Sequence, residues 1–423
     1  MQSIIEAFQY EFAYRALITS VMVGVMCGVL GCFIVLRNMS LIGDALSHAI
    51  LPGVVVGFII AGHSTLGFFT GSVIAGLIAA VAITWIQRNV KTQEDAAIGI
   101  VFTSMFAVGV MGISWLTHQE GVHLDLKDFL FGNVLGISDN DVWMTFLVMM
   151  FTLICVVAFY RYFFITTFES VVARTSGIST SSMHYFLMLL LSFAVVASLQ
   201  SVGVILVVSM LITPASTAYL LTHRMDRMLL IAALVGVTST TLGLLLAIQF
   251  ETTPGPAMTV VATLIYGLTV LFSPSKGLIS RYWKRRLVRL QILREDVLKQ
   301  AVKLNDGTPL HQDDLARKLG IQSNQVMQIL KRLERNQYLG VNGGQVKLTD
   351  KGLERGNALI RAHRLWETYL VEQVGLDSHQ IHAQAEKYEH ILTEALVEEV
   401  ARELGYPVED PHGSPIPPSS RKI

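Results

Sequence analysis

Charge is what this sequence has least of: 15% of its 423 residues are Asp, Glu, Lys or Arg, against 52% hydrophobic residues, and the mean hydropathy is +0.52. Soluble domains carry about 25% charged residues, so a wholly water-soluble protein is excluded and a membrane protein is expected. Cysteine is nearly absent. The three present, Cys27, Cys32 and Cys155, fall within apolar runs, and their spacing fits neither a disulfide framework nor a metal cluster. They read as packing residues. No Gly-x-x-x-x-Gly-Lys-Ser/Thr phosphate loop occurs, so this chain is not expected to hydrolyse ATP itself or to be an enzyme. The His-Glu-x-x-His pattern of a zinc protease is missing too. Nor does the chain open with a charged region, a short apolar core and a small-residue cleavage site, so its first span is expected to direct insertion uncleaved.

The charge that exists is unevenly spread. Residues 1–272 hold 9 of the 32 Lys+Arg and 13 of the 32 Asp+Glu, which makes the remainder a charged, soluble unit. A spanning helix needs about 20 apolar residues, and nine stretches qualify: near 17–36, 41–62, 66–86, 96–116, 142–162, 185–200, 202–221, 228–248 and 257–273. The pair meeting at 198–201 is the weakest. Short loops with Arg37, Arg88 and Lys91, Arg161 and Arg174, and Arg224 and Arg227 alternate with loops poor in base, such as 117–141. By the positive-inside rule the basic loops face the cytoplasm. Arg281, Lys284, Arg285, Arg286 and Arg289 follow the last span and put the C-terminal unit on the same side. A stop-transfer anchor is the simplest role for that cluster, with contact to membrane lipid or DNA as alternatives. The expected fold is an all-α polytopic membrane domain followed by a soluble winged helix-turn-helix domain with a helical dimerisation and metal-binding region.

Residues 43–53 read Gly-Asp-Ala-Leu-Ser-His-Ala-Ile-Leu-Pro-Gly. Ionisable groups at membrane depth are costly and mark functional sites. Asp44 and His48 stand at i and i+4 on one helix face, where both could hold one divalent ion, with Ser47 as a weaker oxygen ligand. The bland alternative has His48 bonded to a neighbouring helix and Asp44 capping the span. This motif resembles the signature of the permease subunits of manganese, zinc and iron ABC importers, and the resemblance runs over most of residues 10–275. It implies that Asp44 and His48 belong to the metal pathway in a bacterial inner (cell) membrane. It also implies three partners: an ATPase subunit, an extracytoplasmic metal-binding protein and a second permease subunit. Residues 213–218, Thr-Pro-Ala-Ser-Thr-Ala, look like the family's second polar stretch, so Pro214 is expected to interrupt a span. Residues 168–177 resemble the coupling helix that meets the ATPase through Glu169, Ala173 and Gly177, the two small residues letting it seat in a cleft.

Beyond Leu293 the pattern turns to amphipathic helices near 294–304, 312–319, 323–335, 350–374 and 378–404. A hairpin around Gly343-Gly344 precedes the fourth. Three helices and a hairpin make a winged helix-turn-helix: Ser323, Asn324, Gln325 and Gln328 would face base edges, and Lys331, Arg332 and Lys347 would meet phosphates. Such modules also serve as protein docking sites. His363 on one helix is joined by Glu386, Glu389 and His390 on the next, a mixed donor set suited to Mn²⁺, Fe²⁺ or Zn²⁺. Residues 361–367, 385–390 and 410–417 resemble the diphtheria-toxin-repressor family of metal-dependent regulators, a likeness that covers 292–418. The resemblance implies a primary metal site of Asp296, Glu386, Glu389 and His390, and a second at His363, Glu367 and His382. Lys299 stands where manganese-type members carry a carboxylate, which favours one filled site. The stripe Ile381, Ala385, Tyr388, Ile391, Leu392, Ala395, Leu396 and Val400 suits dimerisation, and no further small domain is expected after Pro418.

The expected domains are a permease at 1–275, a basic linker at 276–293, a winged helix at 294–350 and a metal-binding and dimerisation region at 351–423. The function they imply is an ABC importer permease whose tail senses the metal and represses uptake genes. Fusions of this kind resemble those of chlamydia-like bacteria. The alternative is a tail that gates the transporter without touching DNA.

Overall fold

The computed structural model describes residues 10–419, except 63, 91–92, 119–131, 133, 306–309, 378–380, 382–384, 387, 389 and 391. It divides into two units, Met1–Arg281 and Tyr282–Ile423. In the first, nine helices among the described residues are long and apolar enough to cross a membrane. They correspond one for one to the stretches expected from hydropathy.

The spans start with α1 (Glu11–Leu36). It ends where Asn38 adopts a left-handed conformation, φ 57°, so that the amides of Asn38 and Met39 turn back to the carbonyls of Val35 and Ile34, a Schellman-type stop. The second span is two helices, α2 (Leu41–Ala49) and α3 (Leu51–Ala61), meeting at Ile50. Pro52 in the first turn of α3 has no amide to give the carbonyl of His48, so the break falls beside that residue. Then come α4 (Thr65–Asn89), α5 (Glu94–Thr117) and α6 (Asp139–Ala158), the last opened by a Ser138/Asp141 capping box. Two short helices, α7 (Tyr160–Phe168) and α8 (Ser170–Thr175), lead into α9 (Thr180–Leu221), α10 (Met225–Gln249) and α11 (Pro254–Phe272).

Between apolar helices in a bilayer, close backbone approach replaces the hydrophobic effect, and glycine permits it. A Cβ on Gly24 of α1 would lie 2.8 Å from the Gly236 carbonyl oxygen of α10, and one on Gly53 of α3 2.1 Å from that of Gly71 on α4. Around these contacts one core gathers Met26, Leu30 and Phe33 of α1 with Leu187, Leu191 and Leu211 of α9.

The α9 region departs from expectation. Pro214 does not interrupt it; the helical backbone runs on through Pro214 and breaks at Gly203, φ 79° and ψ 167°. That conformation is open essentially to glycine alone, whereas a mid-helix proline removes one hydrogen bond and can be carried by a well-packed span.

In the second unit α12 (Leu278–Lys303) runs through most of the stretch read as a linker. It packs with α13 (Gln312–Leu319), α14 (Ser323–Arg335) and a sheet of β1 (Leu310–His311), β2 (Leu339–Asn342) and β3 (Gln345–Leu348), ordered β1-β3-β2. Asn342 pairs with Gln345, leaving Gly343 and Gly344, at φ 59° and 83°, as a two-residue turn of the twist that hairpins favour. Val297, Leu298 and Ala301 of α12 share a core with Leu315, Val326, Leu330 and Val346. After α15 (Asp350–Glu372), the single helix expected over 378–404 is not continuous. Thr393 has extended backbone, and its side chain accepts from the Leu396 amide as the cap of α16 (Glu394–Glu403). The tail folds back: Arg361 donates to the Pro417 carbonyl at 2.9 Å, and Ile416 joins Leu365, Val400 and Ala401 in a small core.

Candidate metal sites and partner surfaces

In the membrane unit the α2/α3 break sets the site. His48 Nε2 lies 3.7 Å from Asp44 Oδ1, with the histidine side chain 17% and the aspartate side chain 46% exposed. Phe102 and Phe106 of α5 pack on the imidazole at ring separations of 5.4 and 5.3 Å. His48 Nδ1 is buried with no hydrogen-bond partner among the described residues, so the bland reading of His48 as a helix-to-helix bond is not realised. Two donors at bonds of about 2.1 Å to one ion stand roughly 3–4 Å apart, a range that contains this pair. Ser47 is placed differently from expectation. It is fully buried, and its hydroxyl donates to the Gly43 carbonyl at 2.8 Å, back into its own helix.

The coupling stretch is also rearranged. Ala173 is fully buried inside its own unit, so its small side chain serves interior packing and not a cleft on a partner. Gly177 has φ 78°, and the amides of Gly177 and Ile178 bond to the carbonyls of Arg174 and Ala173 at 3.1 and 2.9 Å. It is the left-handed stop of α8, which explains the glycine without a partner. Glu169 stands at the N-cap position of α8 without a side-chain capping bond and is exposed. The outward residues that the sequence reading passed over are Phe168, Val171 and Val172, the valines 71% and 50% exposed. Adjacent β-branched residues in a six-residue helix leave no amphipathic period to read.

In the second unit two of the residues expected to sense metal, Asp296 of α12 and His390, come together. His390 Nδ1 lies 2.8 Å from Glu295 Oε2 and His390 Nε2 3.2 Å from Asp296 Oδ1, the imidazole almost fully buried. Arg355 of α15 holds the other Glu295 oxygen at 2.8 Å. Burial would raise the Glu295 carboxyl, but the hydrogen bonds from His390 and Arg355 and the charge of Arg355 outweigh it and hold the group below its usual value. Nδ1–H donated to Glu295 would leave Nε2 to take a cation together with Asp296, as a carboxylate behind a metal-binding histidine does. Asp296 and His390 are thus brought together. Glu386 is exposed, Glu389 lies outside the described residues, and among the described residues no group of three or more His, Cys, Asp or Glu stands ready to hold a metal. Lys299, one turn along α12 from Asp296, is 3% exposed. At the second expected site His363 Nε2 and Glu367 Oε1 are 3.2 Å apart and both buried; His382 lies outside the described residues. Sequence reasoning missed Glu295 and Arg355, although the doubled carboxylate Glu295-Asp296 was a signal.

On the reading head, Asn324, Gln325, Gln328, Lys331 and Arg332 of α14 and Lys347 of β3 are all exposed. Ser323 is not available as expected: its hydroxyl donates to Asp313 of α13 at 2.5 Å and fixes one helix against the other. Of the stripe expected to dimerise, Ile381, Ala385 and Val400 are buried within the unit, while Tyr388 and Leu396 stay exposed.

Residues 9–273 match the model of the ABC 3 transport family. The chain belongs to that family. The ABC 3 match stops at the end of α11, and residues 349–418 match the iron dependent repressor, metal binding and dimerisation domain, which favours the repressor reading of the tail over a gate that never meets DNA. Among ABC 3 relatives, the manganese transport system membrane protein MntC of Halalkalibacterium halodurans is 44% identical over 279 residues, 66% of this chain and 93% of that protein. The manganese transport system membrane protein MntC of Bacillus subtilis is 33% identical over 363 residues, 84% of this chain and 83% of that protein. The solved structure of PsaBC from Streptococcus pneumoniae in complex with Fab aligns with a TM-score of 0.60 at 37% identity, covering 67% of this chain and 98% of that one.

Proposed function

We propose that this ABC 3 permease carries a divalent transition metal, manganese foremost, across a bacterial inner membrane, and that its cytoplasmic tail represses uptake genes when the same metal is bound. The observation that carries the transport reading is the Asp44–His48 donor pair beside a broken span, where an imidazole and a carboxylate suit Mn²⁺ or Fe²⁺. The manganese transport named for the relatives supports the choice. An ATPase subunit, a second permease subunit and an extracytoplasmic binding protein complete the importer. Uptake by the reconstituted complex in mixed metals tests the cargo: preference for a metal other than Mn²⁺ or Fe²⁺ would refute it.

In the tail, Asp296, Glu386, Glu389 and His390 would hold the sensed ion, and His363, Glu367 and His382 would form a subsidiary site. Bound metal supplies a charge that draws α12 toward the segment carrying His390. Glu295 holds the imidazole, and Arg355 holds Glu295. Loss of such supporting groups costs about 10–100-fold in metal affinity. Glu295→Ala is therefore expected to weaken Mn²⁺ binding to the purified 282–423 unit within that range, with Arg355→Ala doing so more mildly. Titration calorimetry gives the result, and unchanged affinity in both variants would remove Glu295 from the site.

The ATPase is proposed to grip the corner of α7 and α8 through Phe168, Val171 and Val172. Val171→Asp is expected to leave the permease assembled but to break the dependence of ATP hydrolysis on transport, measured in proteoliposomes. Gly177→Trp should also uncouple, by distorting the left-handed stop of α8. Normal coupling in Val171→Asp would place the ATPase contact elsewhere.

A further inference from the structure

The start of α12 is fixed to the membrane unit. Ser273 Oγ donates to the Leu220 carbonyl at 2.7 Å. Lys276 Nζ donates to the Tyr219 carbonyl at 2.8 Å and sits 3.6 Å from the centre of the Tyr219 ring. The hydroxyl of Ser280 closes on the Pro274 carbonyl at 2.6 Å. These contacts hold the first turn of α12 beside the ends of α9 and α11, two helices long and apolar enough to span a membrane.

From there every residue of 281–289 is exposed, including bulky apolar ones: Tyr282 at 65%, Trp283 at 55% and Leu287 at 60%. At 3.6 residues per turn, Leu278, Ile279, Tyr282, Trp283, Leu287 and Leu290 fall on one side of the helix, and Arg281, Lys284 and Arg285 on the other. Arg286 and Arg289 fall within the apolar side, and the Arg286 guanidinium lies over the Trp283 ring, 5.9 Å from its centre, a cation held on an aromatic face. No Asp or Glu occurs from 252 to 294.

We infer that residues 278–290 form an interfacial helix that lies in the surface of the membrane beside the last span, its arginines and lysine on the phosphates of anionic lipids and its aromatic side at the acyl boundary. An amphipathic helix with Trp on one face and Lys/Arg on the other binds by apolar burial and by attraction to anionic headgroups. A second copy of the chain is disfavoured as occupant, because it would set five cations against five. DNA is disfavoured because a phosphate-facing surface has no use for exposed Trp, Tyr and Leu. The inference does not depend on which metal is carried, nor on whether the tail represses genes.

The full chain in nanodiscs of phosphatidylcholine, with or without phosphatidylglycerol, tests it. Both leaflets then carry the anionic lipid, so the outcome is independent of sidedness. The Trp283 signal is the difference between wild type and Trp283→Phe. With phosphatidylglycerol present this signal should shift to the blue and be quenched by lipids brominated high on the acyl chain, and added salt should weaken both effects. Arg285→Glu/Arg286→Glu/Arg289→Glu should abolish the dependence on the anionic lipid. A Trp283 signal that keeps its solvent wavelength in phosphatidylglycerol discs overturns the inference, as does one that shifts only when duplex DNA is added.

Discussion

Replacing His48 by alanine, or Asp44 by asparagine, should abolish metal uptake while the permease still assembles with its ATPase. The two donors stand 3.7 Å apart on one helix face, and Pro52, which has no amide to give, breaks the span beside them. An ion crossing the bilayer must exchange its water for protein ligands, and a pair of anchoring donors at membrane depth is costly to keep unless it is used. Since even supporting groups around a metal cost about 10–100-fold when removed, loss of a direct ligand should exceed that. Radiolabelled manganese uptake by cells, with ATPase co-purification as the assembly control, gives the answer. Wild-type uptake by either variant would sink the assignment.

The second large effect is expected in the tail. His390→Ala in the 282–423 unit should remove metal-dependent DNA binding, and Glu389→Ala should do the same. The imidazole bridges Glu295 and Asp296, so it is the group through which an ion can tie α12 to the segment ahead of α16. Binding that draws ligands from distant parts of the chain orders them at the same moment. Two reading heads held at a fixed spacing then match two half-sites about one helical turn apart. Coupling free energies of this kind change affinity by about 5–150-fold. A gel shift with the promoter region of the metal-uptake genes, with and without Mn²⁺, measures it. Undiminished metal dependence in His390→Ala would refute the sensor site.

The parts legible in the sequence were those set by local chemistry. Span lengths follow from hydropathy, the wing from Gly343-Gly344, and the Asp44–His48 pair from an i, i+4 spacing that any helix enforces. What was misread needed tertiary information. Proline advertises a helix break, yet Pro214 lies inside α9 while Gly203, an ordinary glycine among many, takes the conformation that breaks it. Ala173 and Gly177 are small for two different reasons, one packing inward and one stopping a helix, and spacing alone merged them. The Glu295–His390 contact joins residues 95 apart in sequence, and nothing local announces it. Thr393 could have been found: a threonine followed by glutamate is an ordinary helix start, masked here by an apolar stripe that ran through it.

The glycine contacts of the membrane unit bear on how it moves. Gly53 and Gly57 of α3 meet Gly71 and Gly67 of α4 backbone to backbone, close enough that even a methyl group would collide. Surfaces that interlock at that range cannot slide past one another without first separating, so α3 and α4 must travel as a single rigid piece. Any swing that opens the donor pair first to one side of the bilayer and then to the other has to be absorbed outside that piece. Among the described residues, Ile50, where α2 and α3 part, and Gly203, whose backbone leaves the helix, are breaks at which that swing can be absorbed.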